Sequence, residues 1–300
     1  MAAAIRAERL TKFYGDARGI LELNLEVGDG EVFGFLGPNG AGKTTTIRLL
    51  LDLIRPSSGR AEVLGLDTRR DSVAIRRRTG YLPGDLRLYE RLTGRELLEY
   101  FGHLRGLDGL GDGPTLADRL DVEIDRPVQD LSRGNRQKIG LLQAFMHRPD
   151  LLILDEPTSG LDPLIQQAFH GLVRETSADG RTVFLSSHNL AEVQHVADRV
   201  GLVKEGKLVL VETVETLRAR ALTRVEATFD AMPPAGAFAG VPGVDELERR
   251  GNRVILSLQG SADPLVKALS EFTVLALDSH EADLEDVFLG LYRESGPRAD

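Results

Sequence analysis

Apolar and polar positions alternate near the start of the chain, run together in its middle and alternate again towards its end. Each texture predicts a different element. Ile5 to Phe13 and Ile20 to Val27 read as strands, the second with Leu21, Leu23, Leu25 and Val27 on one face. Glu31 to Leu36 is a short apolar run that fits a buried strand. After Gly37 to Gly42 the period changes: Ile47, Leu50, Leu51 and Ile54 recur at helical spacing until Pro56-Ser-Ser-Gly59 ends them. Thr93-Gly-Arg-Glu96 has the form of a capping box and opens a helix carrying Leu97, Tyr100, Phe101 and Leu104. Asp108 to Pro114 is glycine-rich and predicts a flexible loop, which places a helical insert over about 86–148. Leu151 to Leu154, Val183 to Ser186 and Val200 to Val203 are short apolar strands, with helical segments at 163–178 and 189–198 between them. That alternation predicts an α/β core.

Beyond about residue 220 the texture differs. Val225 to Phe229 reads as a strand, and 232–243 is rich in proline and glycine. Gly251-Asn252 turns a hairpin between Asp245 to Arg250 and Arg253 to Leu258. A helix at 264–272, a strand at 273–277 and a closing helix at 283–292 complete a compact α+β unit. It has too few residues for an enzyme core of its own. The expected division is a large domain over 1–218 and an accessory domain over 219–300.

Composition narrows the function classes. With 300 residues and 42% hydrophobic content the chain can fill a substantial core. Its 37 Lys and Arg against 46 Asp and Glu give a net charge of -9, the wrong sign for gripping nucleic acid along a surface. The absence of cysteine excludes thiol nucleophiles and a disulfide framework, and is compatible with a reducing cytoplasm. No stretch approaches the roughly 18 consecutive apolar residues of a membrane span. Arg6, Glu8, Arg9 and Lys12 interrupt what would be the apolar core of a signal peptide. The expectation is a chain that stays inside and does not cross a bilayer.

The chemistry concentrates in two places. Gly37-Pro38-Asn39-Gly40-Ala41-Gly42-Lys43-Thr44 satisfies G-x-x-x-x-G-K-[ST] between an apolar strand and a helix, the context that a P-loop NTPase requires. Its glycines let successive backbone N–H groups converge on phosphate oxygens, and the helix adds its positive dipole end. Lys43 is placed to reach the β- and γ-phosphates of ATP and Thr44 to hold Mg²⁺. Gly40, Ala41, Gly42 and Thr45 complete the phosphate cradle. Leu151-Leu-Ile-Leu-Asp155-Glu156 is the expected partner, a buried strand ending in two carboxylates. Asp155 is the second Mg²⁺ candidate, and Glu156 is the candidate general base, because water must be oriented and deprotonated to attack in line. The runs Arg69-Arg70-Asp71 and Arg76-Arg77-Arg78 read as solvated helix faces, with phospholipid headgroups or a partner subunit as the sharper alternative.

Leu131-Ser132-Arg133-Gly134-Asn135-Arg136-Gln137 stands between these two motifs. At a helix N-terminus a serine hydroxyl and a glycine amide suit an anion, and Ser132 reads equally as an ordinary helix cap. In this order the motifs resemble those of the ATP-binding subunits of ABC transporters, over about residues 4–217. The resemblance implies a P-loop NTPase fold of the ABC type, with an antiparallel β subdomain, the helical insert and the small α+β domain. It implies that two copies sandwich two ATP molecules head to tail, Ser132 and Gly134 of one contacting the γ-phosphate bound by the other.

Asp162, after Pro157-Thr158-Ser159-Gly160-Leu161, resembles the loop that links the two composite sites; Asp162-Pro163 is equally a helix start. His188 resembles the switch histidine, and Tyr14 the aromatic that stacks on adenine. Three positions depart from the family pattern. Gly84 stands where a glutamine is usual, Arg133 replaces a glycine and Asn135 a glutamine. Glu281 to Leu289 resembles the C-terminal segment of exporters of drugs, antibiotics, lipids or polysaccharides. The implied partner is a separate polytopic permease that holds this chain at the inner face of the cell membrane, docks near residues 80–105 and alone contacts the transported substrate. A soluble ABC ATPase acting on ribosomes or DNA would call for duplicated motifs or long coiled coils, neither of which is seen. A nucleotide-sensing module without hydrolysis would tolerate loss of Glu156 or His188, and both are present.

Overall fold

The computed structural model describes residues 3–220 and 223–280. The closing helix expected at 283–292, and with it Glu281 to Leu289, lies outside the described residues. The chain divides into two compact units after Val211, a few residues before the expected boundary.

The first unit carries two sheets. Strands β1 (Ala3–Tyr14), β2 (Ala17–Gly28), β4 (Ser58–Val63) and β5 (Leu66–Asp67) form an antiparallel sheet in the order β2-β1-β4-β5. The buried stripe of β2 is Ile20, Leu23, Leu25 and Val27 rather than the run from Leu21. Glu22 takes φ 45°, the register with β1 shifts beside it, and the alternation changes phase there. The second sheet has the order β10-β9-β3-β8-β7-β6, made of β3 (Val32–Leu36), β6 (Thr79–Leu82), β7 (Leu151–Asp155), β8 (Thr182–Ser187), β9 (Arg199–Lys204) and β10 (Lys207–Thr213). Strands β3, β6, β7, β8 and β9 pair in parallel, and β3, β7 and β8 are buried along their whole length. Such strands read as continuous apolar runs because both faces are covered.

Helix α1 (Lys43–Leu50) follows β3 and ends sooner than the apolar spacing through Ile54 predicted. Asp52 adopts φ 54°, which breaks the helix while Ile54 still packs on the core. Helix α2 (Ser72–Arg78) precedes β6. Arg69 and Arg70 lie on a turn, not on a helix face, their amides held by the Asp67 carboxylate at 2.9 and 3.0 Å. The helical insert is present as α3 (Gly94–Arg105), α4 (Gly113–Arg119) and α5 (Arg133–Phe145). The capping box forms as predicted: Thr93 Oγ1 accepts from Glu96 N and Glu96 Oε2 accepts from Thr93 N. The glycine-rich 108–114 segment is pinned, Asp112 N donating to Met146 O at 3.0 Å, and its last residues already belong to α4.

Helix α6 (Pro163–Ala178) occupies the predicted span. By contrast α7 (Leu190–Val193) is a single turn where a longer helix was expected. Asp198 is drawn to β3, its carboxylate accepting from Val32 N and its own amide donating to Val32 O, so the chain tightens instead of continuing the helix.

The second unit contains α8 (Val214–Arg220), strands β11 (Thr223–Phe229), β12 (Val244–Arg250), β13 (Arg253–Leu258) and β14 (Val274–His280), and helix α9 (Asp263–Leu269). The strands form an antiparallel sheet in the order β12-β13-β11-β14, with Arg250 opposite Arg253 across the predicted hairpin turn. Phe229, Phe238, Leu256, Leu265 and Leu269 lie at the centre of its core.

Candidate nucleotide site

The carboxyl ends of β3, β7 and β8 lie side by side, with Leu36 opposite Ser187 and Asp155 opposite Ser186. In open α/β sheets this is where ligands bind. The turn after β3 runs directly into α1, whose N-cap, Gly42, sits at φ 112°. A Cβ there would fall 2.7 Å from Ile20 Cγ2 and 3.0 Å from Gly19 O, so both conformation and space require glycine. The loop is braced from outside by Gly206 N donating to Ala41 O at 2.8 Å and Gly37 N donating to Ser187 O at 3.3 Å. Around it opens a cleft of about 500 Å³ lined by Tyr14, Asn39, Lys43, Thr44, Asp155 and Glu156 among others.

Lys43 is buried, an expensive place for a cation. Its ammonium donates to Gly37 O at 2.6 Å and lies 3.3 Å from Glu156 Oε1. Asp155 is almost fully buried and saturated by hydroxyls: Thr44 Oγ1 donates to Oδ2 at 2.7 Å and Ser186 Oγ to Oδ1 at 2.5 Å. Nearby, burial and then the Asp155 charge push the Tyr81 phenol up to about 12, so it stays protonated.

Glu156 has φ 52°, a left-handed conformation that costs a non-glycine residue on the order of 1–2 kcal/mol. The surroundings hold it there. Its amide donates to Ser186 O, and its carbonyl accepts from Ser159 N and from Gln137 Nε2. The twist aims the side chain back over the loop. Oε2 lies 2.8 Å from His188 Nδ1; a carboxylate only accepts, so Nδ1 is the donor in this bond. Oε1 is buried and accepts no hydrogen bond, its close cation among the described residues being Lys43.

Tyr14 closes the β1–β2 hairpin at the edge of the same cleft, 47% exposed, with Lys12 Nζ 5.2 Å from its ring centre. The structure thus brings Tyr14, Pro38, Asn39, Gly40, Gly42, Lys43, Thr44, Thr45, Asp155 and Glu156 to one cleft, with His188 bonded to Glu156. Gly37 and Ala41 do not line it themselves; Gly37 O accepts from Lys43 Nζ and Ala41 O from Gly206 N. Ser132, Gly134 and Asp162 do not line it. Ser132 caps α5 by accepting from Asn135 N, and Asp162 caps α6 by accepting from Leu164 N and Ile165 N.

The sequence reading missed Ser186, Gln137 and the cleft-lining Arg18 and Arg48. Ser186 closes the strand read from Val183, and its place at a strand end two residues before His188 was the available signal. Gly84, the departure from the expected glutamine, also lines the cleft. A Cβ at this position would lie 3.1 Å from Asp155 Oδ2.

Among known proteins, the ABC transporter family profile matches residues 20–159. The bacitracin transport ATP-binding protein BcrA of Bacillus licheniformis is 39% identical over 214 residues, 69% of each chain. The daunorubicin resistance ATP-binding protein DrrA3 of Streptomyces coeruleorubidus is 35% identical over 303 residues, 96% of this chain and 95% of that one, so the likeness runs through both units. A solved ATP-binding subunit of an ABC transporter superposes with a TM-score of 0.67 at 28% identity, over 72% of this chain and 92% of its own. The phosphate loop, the two carboxylates and these relatives agree: the chain belongs to the ABC transporter family and is one of its ATP-binding, ATP-hydrolysing subunits.

Proposed function

We propose that this chain works as a pair of identical copies on the cytoplasmic face of a separate membrane permease, driving export of a drug- or antibiotic-like molecule that it does not itself touch. The export class rests on the bacitracin and daunorubicin relatives. The permease is supported by the family, whose name is that of transporters; among the described residues no helix is long and apolar enough to cross a membrane. The observation that carries the catalytic reading is the convergence of Lys43, Glu156 and His188 at the ends of three adjacent strands.

The residues present fit a nucleoside triphosphate. Backbone amides of 37–42 and the start of α1 suit its phosphates, Lys43 its β/γ oxygens, and the exposed face of Tyr14 its base. They also fit Mg²⁺: the Thr44 hydroxyl and the Asp155 carboxylate, 2.7 Å apart, are hard oxygen donors, few enough to leave coordination positions for phosphate and water. When bound, the ion neutralises phosphate charge. Glu156 is the carboxylate that takes the proton of an attacking water, held by His188 at one oxygen and faced by Lys43 at 3.3 Å from the other. The cleft is open to solvent on one side, and water weakens every charge interaction in it. A second copy, presenting Ser132 and Gly134 from the start of α5 with Asp162 at the seam, would close it.

The test is Glu156→Gln. Turnover should fall by roughly 10²–10⁴-fold, the usual contribution of a general base, while ATP still binds and still drives pairing in gel filtration. Retained hydrolysis would remove Glu156 from the base role. Recovery of the native chain only from the soluble fraction of its cells, with no membrane protein in stoichiometric amount, would overturn the permease assignment.

A further inference from the structure

Two chain segments meet twice behind the phosphate loop. One leaves β7 as Glu156-Pro157-Thr158, and the other leaves β8 as His188-Asn189 and enters α7. At the solvent end, His188 Nδ1 donates to Glu156 Oε2 at 2.8 Å, with His188 60% exposed. At the inner end, the buried Thr158 hydroxyl donates to Glu192 Oε2 at 2.5 Å. The second contact is the more demanding. Among the described residues the Glu192 carboxylate forms no ion pair, so the threonine hydroxyl is what compensates its partial burial.

Helix α7 gives this bond its consequence. Four residues cannot sustain a helix alone. Asn189 Oδ1 accepts from Glu192 N, and Leu190 and Val193 are buried, Val193 so close to the sheet that a Cβ on Gly34 would fall 2.2 Å from its Cγ1. Apolar packing sets the height of α7 above the sheet, and Asn189 N, donating to Ser187 Oγ at 3.0 Å, ties its start to the end of β8. The Thr158–Glu192 bond adds a tie from the turn after β7, and His188 lies four residues before Glu192 on the same short segment.

We propose that Thr158 and Glu192 are positioning residues: their bond holds α7 in register with the turn after β7 and so keeps His188 on Glu156 during ATP hydrolysis. The inference rests on the roles given above to Glu156 and His188. His188 stands between the end of β8 and the cap of α7 and is 60% exposed, so the ties on either side of it set its place, and misplacement of about 1 Å can cost two orders of magnitude in rate.

The experiment measures steady-state hydrolysis by the purified chain, with radiolabelled ATP sensitive enough for slow residual turnover. Thr158→Val, nearly isosteric but without a donor, should lower kcat about tenfold and leave the KM for ATP within about twofold. Thr158→Ser should restore it. Glu192→Gln, whose Oε1 still accepts, should keep kcat within about threefold, and Glu192→Ala should lose as much as Thr158→Val. In a His188→Ala background, Thr158→Val and Glu192→Ala should both cost nothing further, a non-additivity that a merely structural role would not produce. Equal losses in both backgrounds, an effect on KM alone, no effect at all, or equal losses for Glu192→Gln and Glu192→Ala would overturn the proposal. Full activity of His188→Ala would overturn the underlying reading instead. Should Thr158→Val fail to fold, the Glu192 pair carries the same comparison.

Discussion

The two units treat polar groups in opposite ways. In the unit up to Val211, Lys43 and Asp155 are buried at the cleft with Gln137, Thr158 and Ser186 buried behind its carboxylates, and eight of the described non-glycine residues, Glu156 among them, hold positive φ. In the unit from Glu212, Ser257 is the single buried polar residue among those described, and every described positive φ belongs to a glycine. Its charges stay outside as surface pairs such as Arg249–Glu246 and Arg253–Glu226, which contribute little. Its centre is a triangle of Phe229, Phe238 and Phe272 with centroids about 6 Å apart. Buried charge costs stability, as does the left-handed backbone at Glu156, and both persist where a reaction uses them, whereas the positive φ at Glu22 and Asp52 serves strand register and a helix end. The first unit is built around chemistry, the second around apolar burial.

The largest test of that contrast is Phe229→Ala. Removing a fully buried ring from the triangle should destabilise the second unit by about 3–5 kcal/mol, because the neighbouring rings cannot collapse into the space. Calorimetry should show its transition fall, while kcat for ATP at a temperature below that transition stays as in the parent. A matching fall in kcat would mean that the second unit takes part in turnover and that the contrast is false.

A smaller test sits inside the cleft. Gly84 is the position without the family's usual glutamine, and its missing side chain leaves the Asp155 carboxylate undisturbed. Gly84→Ala would put a methyl group 3.1 Å from Oδ2 and 3.2 Å from Cγ, closer than such contacts ordinarily come. Asp155 cannot retreat easily, being held by Thr44 and Ser186. Activity should fall about tenfold, with a higher Mg²⁺ concentration needed for half-maximal rate. An unchanged Mg²⁺ dependence would show that this space is not reserved for the Asp155 carboxylate.

What could be read from the sequence divides along physical lines. The phosphate loop and the Asp155-Glu156 strand end were legible because glycine conformation, strand burial and charge leave a signature within a few consecutive residues. The hairpin at Gly251-Asn252 and the cap at Thr93 were legible for the same reason. Strand β4 carries only Ala61 and Val63 as buried apolar residues beside Arg60 and Glu62, too weak a period to see, and its place is set by pairing with β1 far away in the chain. The phase change in β2 depends on that same partner. Thr158–Glu192 and Gln137–Glu156 were illegible because each joins residues 34 and 19 positions apart, through a sheet order that local patterns do not encode.

The smallest prediction asks whether acid discriminates between the units. His147 sits at the end of α5 with Nε2 2.7 Å from Arg105 Nη1, and Arg105 also donates to Thr79 O at 3.2 Å. A guanidinium only donates, so Nε2 accepts and the imidazole must be neutral. Burial first and the Arg105 charge second push its pKa down to about 4. The folded chain therefore binds this proton less readily than the unfolded chain, whose histidine titrates near 6.5. The contribution is fully present above about pH 6.5 and is lost as pH falls towards 4. Allowing for the part of the ring that water still screens, it amounts to about 1–2 kcal/mol. Between pH 7.5 and pH 5 the transition of the first unit should drop more than that of the second. His147→Gln, which keeps an acceptor for Arg105 but has no ionisable ring, should remove most of the difference. If the variant keeps the same acid sensitivity, the cost lies with other groups, and buried titratable chemistry at this helix junction does not distinguish the two units.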